Sequence, residues 1–414
     1  MKGEHRFKPG PINDAFKEYY TFLYRDPGEL DEDRLEGFLR PLPLPTLTSE
    51  DGEGLGGAVA TEEVLEAISR LAPGKMPGTD GLPMDFYERY SKLLAAQLVY
   101  LYVEALHRGL LPDSLREALV VPLPKLKSGE ASVTDFRPLS MLNSDFKILS
   151  KILANRLLQQ ISTLVHADQN GFVPNRSPSL HLRRLFAILQ MPNAEKPPIG
   201  MLLAMDFEKA FDSIRWDYLR TVMLRMGLGA GWVKWVDLLY VAPQARVRTS
   251  KTISNPYPIH RSTRQGCPLL PLLFALTIEP LAAHLRMEGV GRGVEWGRTE
   301  HIISLYADDI LIYLRNGEPW LAWALQALDH FGDLSGLRLN RGKTFVFLMT
   351  AGCDQPPTFP EAMVWAPNTF KYLGIQVFHD LRDLRDGNIG RALGSLRASV
   401  GFWQSLKLSI MGRI

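Results

Sequence analysis

Cysteine is almost absent from this chain. Its 414 residues include only Cys267 and Cys353, in unrelated contexts, which excludes a disulfide scaffold and a cysteine-ligated zinc site. A reducing compartment is the natural home for such a sequence. Also missing is an unbroken apolar run of membrane length. Residues 269–285 are interrupted by Glu279 and His284, and residues 94–106 by Gln97 and Glu104, so no membrane span is expected. The opening Met1-Lys2-Gly3-Glu4-His5-Arg6 leads into no apolar core, so no secretory leader is read. No fixed-period repeat is visible. An excess of one charge is lacking too: 47 Lys and Arg face 45 Asp and Glu, a net +2. The charge is instead unevenly spread. Residues 26–66 carry twelve acids and two bases, whereas 116–184 carry ten bases and five acids, so a basic coat is excluded but a basic face on one lobe is not.

What is present fits a large globular chain. Hydrophobic residues make up 46% and charged residues 22%, ordinary values that permit a sizeable core and argue against global disorder. Ile12, Phe16, Tyr19, Tyr20, Leu23 and Tyr24 recur at helical spacing, which predicts a docking helix over 11–24 before Asp26-Pro27-Gly28 stops it. Residues 26–60 are acidic and rich in Pro and Gly, the composition of a linker. A helix start is read at Thr61-Glu62-Glu63-Val64, with acids favourably placed in its first turn. A turn-rich loop follows over 72–83, then helix over 84–110 and a short strand over 118–124. Ser144 and Asp145 are placed to cap a helix whose apolar stripe is Phe146, Leu149, Leu153, Leu157 and Ile161. Lys147, Lys151 and Arg156 stay off that stripe, either as a solvated face or as nucleic-acid contacts. Beyond residue 200, short apolar strands alternate with helices, the pattern of an α+β sheet layer.

Two of those strands end in acids. Met201-Leu202-Leu203-Ala204-Met205 runs straight into Asp206, and Ile302 to Tyr306 leads through Ala307 to Asp308 and Asp309 before a second apolar run, Ile310 to Leu314. The second pattern is that of a hairpin with two acids at its tip. Taken alone, an Asp-Asp there reads more readily as a solvated turn. Carboxylates gathered between apolar strands repel one another and resist desolvation unless cations neutralise them. Phosphoryl transfer with two Mg²⁺ ions about 3.5–4 Å apart needs that arrangement, and hard oxygen ligands suit the ion. Asp206 and Asp308 are far apart along the chain, so only folding can unite them.

From Tyr306-Ala307-Asp308-Asp309 and the segment Asp206-Phe207-Glu208-Lys209-Ala210-Phe211, the chain resembles reverse transcriptases, most closely those of non-LTR retrotransposons of the long interspersed element type. The resemblance extends in the family's order through Pro77-Gly78-Thr79-Asp80-Gly81, Asp135-Phe136-Arg137-Pro138-Leu139-Ser140 and Gln169-Asn170-Gly171-Phe172-Val173-Pro174-Asn175-Arg176. It continues past Asp206 through Arg264-Gln265-Gly266-Cys267-Pro268, the Asp308 hairpin, Leu339-Asn340-Arg341-Gly342-Lys343-Thr344 and Phe370-Lys371-Tyr372-Leu373-Gly374.

The resemblance implies an α+β right-hand polymerase. Residues 1–60 would be an N-terminal helix and acidic linker, 61–107 a helical extension of the fingers, 108–378 the fingers and palm, and 379–414 a partial thumb. It implies Asp206, Asp308 and Asp309 as catalytic metal ligands for two Mg²⁺ ions, with Mn²⁺ an alternative, and Lys343 as the acid that protonates the leaving pyrophosphate. Asp309 is the less secure ligand, because successive strand side chains point to opposite faces. Tyr306 would sit beside the primer end. Phe211 would crowd the 2′-hydroxyl of a ribonucleotide, the group that separates the two sugars. Gln265 would meet the nascent pair, and Gly266 would let backbone approach template or nucleotide closely. Pro268 would open the next helix. Arg137 and Lys125 would hold the triphosphate.

The expected partners are an RNA template, a DNA primer and deoxynucleoside triphosphates. Protein partners are not legible, and nucleus and cytoplasm stay equally open. Leu270 stands where the family more often has a small polar residue. The chain stops early in what would be a thumb, which implies weak, salt-sensitive binding. The competing reading is a truncated remnant that binds nucleic acid without turnover.

Overall fold

The computed structural model describes residues 9–125, 131–191, 200–250, 252–262, 264–315, 317–350 and 363–405. The opening hexapeptide, Cys353 and the last nine residues of the expected thumb lie outside them. The chain forms two compact units: Met1–Arg176, Phe207–Met287 and Ala327–Leu339 make the first, and Ser177–Asp206, Glu288–Gln326 and Asn340–Ile414 the second. The units are interleaved in sequence.

In the first unit the helix Pro9–Leu23 buries Phe16 and Tyr20, as its spacing predicts. The stretch expected as a linker instead holds two helices, Glu32–Leu39 and Ser49–Leu55. Composition hid them, because the buried side chains are few, Leu35, Phe38, Leu39 and Leu55, with Gly52 beside them, while the acids stay in solvent or cap the first turns. Asp31 and Thr48 are the caps, accepting from Arg34 N–H and Asp51 N–H. The helix expected over 84–110 breaks at Tyr90 into Met84–Arg89 and Ser91–Arg108, and ends on Gly109 in the left-handed region, φ 67°.

A mixed sheet carries the rest of this unit. Glu117–Pro124 pairs antiparallel with Phe136–Leu142 and parallel with Gln244–Thr249, which in turn pairs with Thr252–Ile253 and Tyr257–Pro258. Beside it lie Ser144–Leu164, whose predicted stripe is buried throughout, and Leu270–Glu288. Asn143, rather than Ser144 or Asp145, precedes the former as its cap position, and Ser144 Oγ donates to Leu82 O at 2.8 Å.

Arg156 on the same helix is neither a solvated base nor a nucleic-acid contact. Its guanidinium donates to Glu63 Oε1 and Oε2 at 2.6 Å and to the carbonyls of Leu55, Gly57 and Ala58. Leu270–Glu288 is the only helix among the described residues long and apolar enough to cross a membrane by length and composition, and it is mostly buried as a core helix. Its buried Glu279 is paired with Arg286.

The second unit is built on a five-stranded sheet ordered Val364–Trp365, Phe345–Leu348, Met201–Met205, Asp309–Leu314, Ile303–Tyr306. All five residues of Met201–Met205 are buried, the mark of a central strand. One face packs Leu202, Ala204, Leu311, Tyr313 and Phe347 with Leu185, Ile188 and Leu189 of the helix Pro178–Leu189 and with Phe370, Tyr372 and Val377. The last three belong to the hairpin Thr369–Tyr372 and Ile375–Phe378, closed by Leu373 and Gly374 at φ 46° and 80°, a two-residue loop whose handedness matches strand twist.

Candidate active site

The sheet of the second unit brings the sequence-predicted acids together. Met205 pairs with Ile310 in antiparallel register, so one further step sets Asp206 across from Asp309. Asp308 fills the two-residue turn before Asp309, next to Ala307 at φ 56°. Tyr306, partly exposed, pairs with Asp309 across the hairpin.

Partial burial of the Asp309 carboxyl, with Asp308 and Asp206 beside it, pushes it up to about 6, against the pull of Lys371. Lys343 ends a short 3-10 turn, Arg341–Lys343, and its Nζ lies 3.4 Å from Asp206 Oδ2. Among the described residues no group of three or more His, Cys, Asp or Glu side chains forms a metal cage. Asp206 faces Asp309 by register, and both Asp206 and Asp308 raise the Asp309 carboxyl, but the three acids do not form such a cage. The donors that are present, hard oxygens of like charge at one strand edge, still suit a hard divalent cation that takes its remaining ligands from phosphates and water.

The other sequence-predicted residues belong to the first unit. The short helix Ala210–Ser213 presents Phe211, whose ring centroid lies 4.7 Å from that of Phe274. Asp212 beside it is buried and accepts from Tyr24 Oη at 2.9 Å and from Gln265 Nε2 at 3.0 Å. Burial pushes its carboxyl up to about 6, opposed by Tyr24, Lys209, Gln265 and Lys125. Lys209, in the left-handed region at φ 49°, donates through Nζ to Thr134 O and Phe136 O at 3.2 Å.

Gly266 has φ 109°, and a Cβ there would meet Ser140 O at 2.6 Å. Its positive φ and the nearby strand carbonyl both require glycine at this position. Pro268 sits two residues ahead of Leu270–Glu288 rather than in its first turn. Leu270 is buried at the start of that helix. Arg137 is exposed on the strand Phe136–Leu142, and Lys125 follows Glu117–Pro124 with its N–H on Asp135 O at 2.9 Å.

Close by within this unit, the loop over 72–83 is held to Asn143. The Asn143 side-chain oxygen accepts from Asp80 N–H and Thr79 Oγ1 at 3.4 Å, and any side chain at Gly78 would strike it. The loop contributes to a largely apolar cavity of about 730 Å³ whose lining includes three bases, Lys75, Lys147 and Arg248. Burial lowers the Lys147 pKa, opposed by Asp80.

A family model for reverse transcriptase (RNA-dependent DNA polymerase) matches residues 124–377. The chain belongs to the reverse transcriptase family. It is 28% identical over 370 residues to the Transposon TX1 uncharacterized 149 kDa protein of Xenopus laevis, covering 89% of this chain and 28% of that one. It is 27% identical over 327 residues to the Pol polyprotein of the type-2 retrotransposable element R2DM of Drosophila melanogaster, covering 76% and 30%. Against the RNA-directed DNA polymerase from mobile element jockey of Drosophila funebris the identity is 24% over 334 residues, 77% of this chain and 35% of that one. The relatives are proteins of non-LTR retrotransposons, as the motifs implied, and this chain spans about a third of their length.

In this reverse transcriptase the residues that sequence reasoning missed are Asp212 and Tyr24. An acid set between Phe211 and Ser213, in a segment otherwise destined for burial, was the available signal for Asp212. Tyr24 gave none beyond its place on an apolar stripe.

Proposed function

We propose that the chain is an RNA-directed DNA polymerase of a non-LTR retrotransposon, extending a DNA primer on an RNA template from deoxynucleoside triphosphates. The observation that carries this reading is the strand register that places Asp206 beside the Asp308-Asp309 turn. Two Mg²⁺ ions, or Mn²⁺, held there would favour the deprotonated primer hydroxyl and neutralise charge building on the phosphate.

The chain's own residues do the rest. Asp206 at a strand end and Asp308 in the hairpin turn supply anionic oxygens, and Asp309, opposite Asp206, adds a third. Lys343, already drawn to Asp206, is the cation available to give a proton to the departing pyrophosphate. Phe211 limits the space at the sugar's 2′ position, and Gln265 contacts the base pair being formed. Arg137 and Lys125 offer a fork and a point charge to the triphosphate. Tyr306 borders the primer end.

Extension of a labelled DNA primer on an RNA template, with Mg²⁺ and all four deoxynucleotides, tests the reading. Product from wild type and none from Asp206→Asn supports it; equal signal from both removes it. Leu270, at a position where the family more often has a small polar residue, favours a second reading, nucleic-acid binding without turnover. In that case primer-template is retained in a gel but never extended.

A further inference from the structure

Tyr24 lies just past the helix Pro9–Leu23, well ahead of the region 124–377 that the family model covers. Its backbone is fixed at both polar ends: the N–H donates to Tyr20 O at 2.9 Å, and the carbonyl accepts from His260 N–H at 3.0 Å. The ring stacks on Tyr20 with centroids 6.2 Å apart. From this fixed base the hydroxyl reaches Asp212 Oδ1, while the other oxygen of the same carboxylate takes Gln265 Nε2. Tyr24 and Asp212 are buried; Gln265 is not fully so.

The chemistry of the three groups removes a freedom from Gln265. Its backbone is already pinned, since its carbonyl accepts from Ser140 N–H at 3.1 Å and the next residue is Gly266 at φ 109°. What remains is the rotation of the side-chain amide. An ionised carboxylate only accepts hydrogen bonds, so it admits the amide nitrogen and turns the amide oxygen away. Asp212 in turn is held in place by the Tyr24 hydroxyl. Asp212 also adjoins Phe211 on the helix Ala210–Ser213, so one helical turn carries both the proposed sugar gate and the anchor of the proposed base contact.

We propose that Tyr24, Asp212 and Gln265 form a positioning relay, by which the N-terminal helix fixes the face that the Gln265 amide presents to the incoming nucleotide. The proposal rests on the polymerase reading and deepens it. Tyr24 and Asp212 touch no substrate in this scheme and are positioning residues. Two substitutions perturb the relay differently. Tyr24→Phe removes a donor and loosens Asp212. Asp212→Asn keeps the shape but adds a donor: with its oxygen on Tyr24, its nitrogen faces Gln265 and forces that amide to reverse.

Steady-state single-nucleotide insertion by the full chain on an RNA template is the test. Tyr24→Phe is expected to raise KM for the templated deoxynucleotide about three- to tenfold, the worth of one ordinary hydrogen bond, with kcat little changed. Asp212→Asn is expected to raise the misinsertion ratio as well. In a Gln265→Leu background, Tyr24→Phe should have no further effect on KM. Tyr20→Phe is the control, because the buried Tyr20 hydroxyl has no hydrogen-bond partner among the described residues; it should leave KM alone, and melting temperatures monitor the fold of each variant. A wild-type KM for Tyr24→Phe, or an equal change in Tyr20→Phe, overturns the relay. A binding assay separates this from the polymerase reading: the Kd of the next deoxynucleotide on a dideoxy-terminated primer should weaken by the same factor in Tyr24→Phe. If wild type forms that complex without extending primers, the polymerase reading falls and the Kd decides the relay. If it does neither, both are overturned.

Discussion

Lys343 Nζ stands 3.4 Å from Asp206 Oδ2, and both side chains remain open to solvent, 61% and 39% exposed. A pair so exposed contributes about 0–1 kcal/mol to stability. The test of the proposed role is therefore kinetic rather than thermodynamic. Lys343→Met is expected to leave the unfolding midpoint nearly unchanged while slowing single-turnover extension about a hundredfold, the usual scale of a lost general acid. An unchanged rate would withdraw the acid role from Lys343.

Phe211 rests on Phe274, which fixes its ring against the core helix. Phe211→Val shortens the side chain and opens the sugar position. Incorporation of ribonucleotides relative to deoxynucleotides is expected to rise by about tenfold or more, since only the clash with the 2′-hydroxyl opposed them. The assay is competitive insertion on one primer-template; an unaltered ratio would return Phe211 to a packing role alone.

Asp212 gives the fold a pH dependence. Burial raises its carboxyl from 3.8 to about 6, so it keeps its proton more readily folded than unfolded. The stabilisation from that proton is full below about pH 4 and is lost as pH rises through about 6, a fall of about 2–3 kcal/mol. Asp212→Asn cannot titrate. Urea midpoints measured from pH 4 to 7 should show wild type losing ground to this variant by that order. A difference that stays constant with pH would contradict the raised carboxyl.

Arg156 is structural. Removing its guanidinium leaves three carbonyls without this donor and Glu63 with only the Ala60 N–H, so Arg156→Met should destabilise by about 3 kcal/mol. Replacing Glu63 by Leu in the same chain should recover part of that loss, because the stranded charge goes with it. Chemical denaturation of the single and double variants decides; a loss below about 1 kcal/mol would mean that the network is solvated.

How much of this was legible in the sequence depended on whether a residue acts locally. The hairpin with acids at its tip, the buried strand ending at Asp206 and the apolar stripe of Ser144–Leu164 all follow from short-range periodicity, and the structure has them. The helices Glu32–Leu39 and Ser49–Leu55 did not emerge, because a few buried leucines and one Phe among many acids look like linker composition. Arg156 was misread for a related reason: a base off the apolar stripe looks solvated until another segment wraps over it. The contact of Gly266 with Ser140 O, from a strand far away in sequence, was not legible from the local Gly-Cys-Pro turn. The Tyr24 to Asp212 bond spans 188 positions, and no local pattern encodes such a partner.

The central claim is that acids from two separate strands work as one site, and a double-mutant cycle on primer extension tests it most directly. Asp206→Asn and Asp308→Asn should each reduce single-turnover extension by about a thousandfold or more, and the double variant should lose little beyond either one, as groups acting as a unit do. Losses that multiply, or a single variant that extends primers as wild type does, would contradict the account.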